Sequence, residues 1–478
     1  MSPAHFLFYL LRLGLGQPRS HRDRSRFALS LALILPLLRL TRASAADDES
    51  SVGYRREVYR EDNDRISVDT DSYSFDVGLS SKIRISGNAV FDAISGATPT
   101  GAPPQTKWPF PTFAQYYANA YSQAYTSQYN QFIADNQIYV DAGYITFQQL
   151  TNAAAQTAAT NAPGIATGSA TSSFRSLTNS PNYRNNSVPL TRLHDYRSAF
   201  SLGLPIALQN HLITPSFSYS TESDYRSFGG ALNYAVALNN KNTTLNLGYS
   251  HNSDSVRDDL FIWEDKLTDD ILIGLVQLLS PESYLTLNFS FGYERGYLSD
   301  PYRGVMFAAR TFDQLQLNPN DASLAPEKRP RHRSKEIAYL SWTQFIEPLD
   351  GGLEAGYRFF HDSYDVFANT VELKWNQKLG RYLVLSPTFR YYYQTGARFY
   401  FSGLVPNADN PPDFYSADYR LSEFNSFAGG LKLTWRFYKH ASLDAAYMRY
   451  VMQGLDGKTS ESAYPSANVF TIGARLWF

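Results

Sequence analysis

Apolar and polar residues alternate along most of this chain with a period of two. Leu285, Leu287, Phe289, Phe291 and Tyr293 stand against Thr286, Asn288, Ser290 and Gly292. Leu431, Leu433, Trp435 and Phe437 oppose Lys432, Thr434 and Arg436, and Ile83, Ile85, Ala89 and Phe91 oppose Arg84, Ser86 and Asn88. Similar runs occupy 211–220, 228–238, 243–250, 353–360, 369–376, 383–394 and 441–450. Successive side chains of a strand point to opposite faces, so each run predicts a strand lying between two different solvents. Each is close to the roughly nine to eleven residues that a tilted strand needs to cross a bilayer.

The chain finishes in the same pattern, with Phe470, Ile472, Ala474, Leu476 and Phe478 on one face. A terminal strand that stops on an aromatic residue resembles the closing strand of bacterial outer-membrane β-barrels, which the barrel-assembly machinery reads. Phe470, Ile472, Leu476 and Phe478 are the expected assembly signal. At the other end, Phe27 to Leu38 (FALSLALILPLL) is an apolar run after Arg22, Arg24 and Arg26, followed by Ala43-Ser44-Ala45. That order of charge, apolar run and small-residue site predicts a secretory signal peptide over 1–45, with the barrel spanning 46–478. The run is too short to span as a helix.

Turn lengths set the expected topology. Short connections fall near Ser80-Ser81, Leu208–Asn210, Asn239–Asn242, Ser280–Glu282, Leu349–Gly351, Leu379–Arg381 and Tyr438–His440. Longer polar connections alternate with them, as in outer-membrane barrels, where the short side is periplasmic. Seven short turns with both termini on that side predict an all-β, transmembrane antiparallel barrel of about 16 strands; 14 and 18 remain the alternatives. The scheme needs a first strand at 52–60 (VGYRREVYR), although its charges break the alternation.

Two connections are long. An extracellular insertion is expected over 96–190, between the third and fourth strands. Phe113, Tyr117, Tyr121, Tyr125 and Tyr129 recur in it every four residues, which predicts a helix with five rings on one face. The rings could stack sugars or constrict the lumen; packing on the rim or on other loops is the plainer reading. The Ala/Thr/Asn/Ser-rich stretch 151–180 is expected to lack regular structure. The second long loop, 298–334, ends in Lys328-Arg329-Pro330-Arg331-His332-Arg333, read as a solvated segment, with lipopolysaccharide contact as the alternative.

Composition narrows the classes. Mean hydropathy is −0.35, too polar for a bundle of membrane helices. The 35 Tyr, 31 Phe and 6 Trp suit aromatic girdles. A net charge of −1 argues against nucleic acid as a partner, and the absence of cysteine excludes disulfides, thiolate metal sites and a cysteine nucleophile. No catalytic, cofactor-binding or metal site is predicted. His194-Asp195 and His361-Asp362 are neighbours on strands and point to opposite faces. Asp254, Asp258 and Asp259 are read as solvated carboxylates, without EF-hand spacing. The chain is therefore expected not to be an enzyme, and no cofactor is expected.

The remaining handle is the lumen. With the apolar alternates facing lipid, Arg84, Arg358, Lys374, Arg390, Lys432, Arg436 and Arg475 face inward, against Glu354, Glu372 and Asp444. A buried charge must be paired or wet, and seven cations cannot all pair with three carboxylates, so water or anions are expected inside. Passage of small, anionic solutes through a porin-like barrel is the expected function. The alternative is a non-conducting scaffold or adhesin-like barrel that presents its loops to a partner.

Five segments, SGATPTGAPP (95–104), DPYRGV (300–305), LSPTFRYYYQTGARFY (385–400), YSADYRLS (415–422) and SAYPSANVFTIGARLWF (462–478), resemble an uncharacterised bacterial family, a domain of unknown function, of outer-membrane barrels. The resemblance implies the fold, the bacterial outer-membrane location and lipid as surroundings. It also implies a link to a redox-related envelope system, and it hands over no activity.

Overall fold

In the computed structural model the described residues are 49–104, 112–179, 187–307, 324–402, 404–405 and 411–478; the expected signal peptide lies outside them. Sixteen antiparallel strands run in chain order around one closed sheet. They are β1 Ser51–Glu61, β2 Ser67–Gly78, β3 Arg84–Pro99, β4 Leu190–Gly203, β5 His211–Thr221, β6 Tyr225–Leu238, β7 Thr243–Arg257, β8 Trp263–Ser280, β9 Ser283–Gly296, β10 His332–Ile346, β11 Gly351–Asp362, β12 Phe367–Leu379, β13 Leu383–Gln394, β14 Phe424–Tyr438, β15 Ala441–Gly454 and β16 Ser466–Trp477. A short segment, Ile206–Leu208, continues β4 past a break at Leu204-Pro205. β1 pairs with β16 from Ser51↔Trp477 to Glu61↔Ala467, and Ser50 and Phe478 exchange backbone hydrogen bonds of 3.0 and 2.9 Å. Closure leaves no unpaired edge.

The seven short turns fall where the spacing of polar residues placed them, so one mouth carries tight turns and the other the long loops. The alternation sorts the faces. Leu431, Leu433 and Trp435 on β14 and Phe289 and Phe291 on β9 project outward and stay exposed, which suits hydrocarbon. Their neighbours Lys432, Thr434, Asn288 and Ser290 project inward.

The 96–190 insertion is shorter than expected in one sense: β3 extends to Pro99, so the loop proper begins at Thr100. Two helices fill the connection, α1 Phe113–Asp141 and α2 Phe147–Asn179. Thr112 caps α1 in a capping box with Gln115. The rings of Tyr117, Tyr121, Tyr125 and Tyr129 follow one another 6.2 to 6.4 Å apart, the first and last pairs stacked and the middle pair tilted, and remain half-buried. The helix α2 corrects the expectation that 151–180 lacks structure. Ala154, Ala158, Ala162, Ala166 and Ala170 recur every four residues at 0–1% exposure, a small-residue stripe that lets α1 approach closely. Phe174 meets both Phe113 and Tyr116, and Asn161 bonds Gln128, which fixes the two as an antiparallel hairpin. Low side-chain complexity hid a packing face.

Candidate functional site: the capped lumen

A barrel with a polar interior has no hydrophobic core, yet this one has compact apolar clusters at its long-loop mouth. Val188, Tyr419, Phe424, Met452, Ala463 and Tyr464 form one; Tyr364, Val366, Ala397, Phe399 and Leu421 form another. The loops bury these side chains against one another and make a cap. Tyr364 donates to Pro330 O at 3.1 Å, Tyr400 bonds Thr459 at 2.6 Å, and Ser422 bonds Tyr464 at 2.7 Å. Arg65 reaches Ser462 O and Ala463 O, and Tyr302 donates to Asp224 across the mouth. Gln394 on β13 anchors the cap to the inner wall by donating to Arg420 O and Ser422 O.

An ionic network sits at the cap's centre. Asp418, 1% exposed, accepts from Arg329 at 2.8 Å and from Arg420 at 2.6 Å, with Arg303 3.7 Å away. Arg329 also meets Glu327 at 2.6 Å, and Glu327 accepts from Ser416. Arg420 reaches Asp300, and Arg303 donates to Thr98 at 2.8 Å. Burial by itself would raise the Asp418 carboxyl, but Arg420, Arg303 and Arg329 outweigh it and hold the group well below the ordinary carboxylate range. Burial dominates at Glu327 and raises it despite Arg329. At Gly101, with φ +97°, the chain passes so close to Gly304 that a Cβ would fall 2.3 Å from its carbonyl oxygen. Only glycine satisfies both demands.

All five segments that carry the family resemblance supply parts of this cap. Thr98 and Gly101 come from 95–104, Asp300 and Arg303 from 300–305, and Gln394, Ala397 and Phe399 from 385–400. Ser416, Asp418 and Arg420 come from 415–422, and Ala463 and Tyr464 from 462–478. Sequence reasoning missed the network itself. Its signal was the mixture of Asp and Arg with small or aromatic residues in loops that should have been simply solvated.

The reading of the basic run as solvated is corrected on the same ground for two of its residues, Arg329 and Arg333. Arg329 is buried in the network, and Arg333 on β10 pairs with the fully buried Asp362 at 2.5 Å. Lys328, Arg331 and His332 stay exposed, with Arg331 2.6 Å from Glu264. Asp254 is likewise no solvated group: it is 4% exposed and accepts from Tyr225 at 2.6 Å. Asp258 binds the backbone of its own turn. His361 pairs with Glu336 at 2.6 Å and Asp362 with Arg333, so these neighbours serve separate partners. Asp195, Glu222 and Asp224 bring carboxylate oxygens within 4.8 Å of one another, a grouping among the described residues that could hold a divalent cation. Burial pushes Glu222 up to about 7, against the pull of Arg197.

Inside the barrel, the expected lumen charges divide into two sets. Arg84 pairs with Asp76 at 2.9 Å, a carboxylate absent from the sequence-based tally. Lys374 meets Glu354 at 3.1 Å, Arg390 meets Glu372 at 3.1 Å, and Lys432 meets Asp444 at 3.4 Å. These are cross-strand pairs between adjacent strands. Among the described residues Arg358, Arg436 and Arg475 have no ion pair; Arg436 lies over the Trp477 ring, 5.7 Å from its centroid. Arg358 borders two cavities. One, of about 350 Å³, is bounded by Asn288, Ser290, Tyr339, Thr370, Glu372 and Arg390. The other, of about 200 Å³, lies under the cap between Arg333, Tyr392, Gln394 and Arg420. A third cavity of about 450 Å³ on the far wall is lined by Ser86, Asn88, Ser201, Ser216, Ser218 and Asn252 and carries no charge. The two cavities beside Arg358 are therefore bordered by basic side chains, whereas the third is uncharged.

The family described as "Protein of unknown function (DUF3570)" matches residues 28–261 and 258–464. The chain belongs to this family. No curated protein matches it. Among solved structures, the siderophore receptor PirA from Pseudomonas aeruginosa shares 9% identity at a TM-score of 0.38, over 90% of this chain and 62% of that one. CdiB from Acinetobacter baumannii shares 7% at 0.42, over 90% and 60%. The outer membrane protein OpdK from Pseudomonas aeruginosa shares 7% at 0.37, over 91% and 100%. This chain thus spans about 60% of the length of the PirA and CdiB structures. The DUF3570 chain is an outer-membrane-type β-barrel, and similarity at this level carries no ligand across.

Proposed function

We propose that this DUF3570 protein resides in the bacterial outer membrane, surrounded by lipid, and that its lumen takes small anionic solutes, with the cap at the outer mouth. The observation that carries the reading is Arg358, a guanidinium without a carboxylate partner among the described residues, set between two cavities and close to Arg333, Arg390 and Arg420. A cation in a confined lumen is stable when wet or when an anion neutralises it, and unpaired Arg in a pore favours anions. Arg390 and Lys432, which the sequence would rank beside it, are each neutralised by a carboxylate on the adjacent strand. No catalytic step belongs to this reading.

Purified protein in planar bilayers tests it. The expected result is anion-selective conductance whose reversal potential shifts toward cations in Arg358→Gln and much less in Arg390→Gln. Cation selectivity in the unaltered protein would overturn it. Absence of conductance would favour the second reading, a scaffold that presents its outer loops. That reading draws on the interlocked cap and on the helical hairpin, whose tip exposes Ile138, Tyr139, Tyr144 and Phe147.

A further inference from the structure

The outer face of the barrel breaks its own rule at β1 and β2. Register runs from Leu433 through Ala445 and Ile472 to Arg56, then to Asp71 and Phe91, so Arg56 and Asp71 share the lipid-facing side with these apolar residues. The pair is not at the rim. One row nearer the long loops are Phe470 and Val58, and one row nearer the short turns are Ala474 and Tyr54. Arg56 meets Asp71 at 3.2 Å and Asp69 at 3.8 Å, Arg60 meets Asp69 at 2.6 Å, and Tyr54 donates to Asp71 at 2.7 Å. Two guanidiniums and two carboxylates therefore stand on a surface where a single Arg near the midplane is strongly destabilising in lipid.

We infer that this patch is a docking surface for a second copy of the same chain, related by a two-fold axis. Charge complementarity selects that occupant. The cluster carries two positive and two negative groups, so half of it would repel an acidic lipid headgroup or a partner of single sign. A two-fold axis sets the patch against its own image, and Arg56 of one copy can then meet Asp71 or Asp69 of the other away from lipid. Ala474, Ala445 and Ala93 beside the cluster keep the surface low, which permits the close approach that packing in a bilayer requires.

The chain has no cysteine, so single thiols report the contact. Val58→Cys lies in the patch, and Phe289→Cys lies outward on β9, eight strands away around a sixteen-strand circuit. In outer membranes from cells expressing the full chain, a short bismaleimide should join Val58→Cys into a product of twice the chain mass. It should leave Phe289→Cys single. Arg56→Leu with Asp71→Leu, added to Val58→Cys, should cut that product at least tenfold while the barrel still shows a heat-dependent shift on gels. The swapped variant, Arg56→Asp with Asp71→Arg, should keep it, since the exchanged charges remain their own complement. No product at Val58→Cys, equal product at both sites, or a product of another mass would each overturn the inference. So would a dimer yield unchanged by the double Leu variant.

Discussion

Asp418→Asn removes the charge at the centre of the cap while nearly preserving its shape. In the native cap Arg303, Arg329 and Arg420 face Asp418, Glu327 and Asp300; after the change three guanidiniums face two carboxylates. Arg303 is already poorly served, with Nε and Nη1 buried and lacking hydrogen-bond partners. Leaving a buried ion pair with one partner costs about 3–5 kcal/mol. At about 1.4 kcal/mol per tenfold, the open fraction of the cap should rise by between two and four orders of magnitude. The barrel strands do not depend on the network, so the loss should be local. Native-state hydrogen exchange reads it at amides that tie the cap, including Ser416 N to Phe399 O and Ala397 N to Leu421 O. Those amides should lose protection while mid-strand amides of β7 to β9 keep theirs. Unchanged protection would mean that the network contributes no net stability. Loss of protection throughout the strands would mean that cap and barrel unfold together.

Acid should not open the cap between pH 7 and 5. Asp418 is depressed in the folded state, so its stabilisation is complete above the ordinary carboxylate value of about 4 and is lost only as pH falls through the lower folded value. Glu327 is raised, so its contribution has the opposite sign and improves as it takes up a proton; cap-amide exchange measured against pH checks both. Leu433→Arg, on the lipid side, should cost roughly 2–4 kcal/mol of folding stability in bilayers, whereas Thr434→Arg, its inward neighbour, should be tolerated; equal losses would refute the assignment of faces. Deleting 113–179 should leave a closed barrel with its heat-dependent gel shift intact, because the helices pack on one another and closure rests on strands.

The alternation made the barrel legible because the physics is local: a strand between lipid and water must change polarity at every residue, and Leu431-Lys432-Leu433-Thr434 does so without reference to any other segment. The short turns were legible for the same reason. The cap was not. Asp418 and Arg303 are 115 positions apart, and nothing in either neighbourhood distinguishes a buried ion pair from two solvated loop charges. The lumen lay between these extremes. Inward placement of Arg390 and Lys432 followed from parity, yet their neutralisation depends on which strand lies next and in what register, and that fixes Glu372 and Asp444 as partners.

β1 is the instructive failure of the alternation. Its sequence, SVGYRREVYRE, puts Arg56 and Arg60 where lipid-facing residues belong, so it departs from the strand pattern. Only the arithmetic of an even barrel demanded it. Yet β1 pairs with β2 from Ser51 to Arg60 and with β16 from Ser51 to Glu61, as complete a strand as its neighbours. The pattern failed there because it assumes that every outward position faces lipid. A strand whose outer face is polar near mid-height has a different neighbour in view, and Asp69 and Asp71, arriving from β2 to meet Arg56 and Arg60, mark the same face. The breach of alternation is then not noise around the strand but information about what lies beyond the barrel wall.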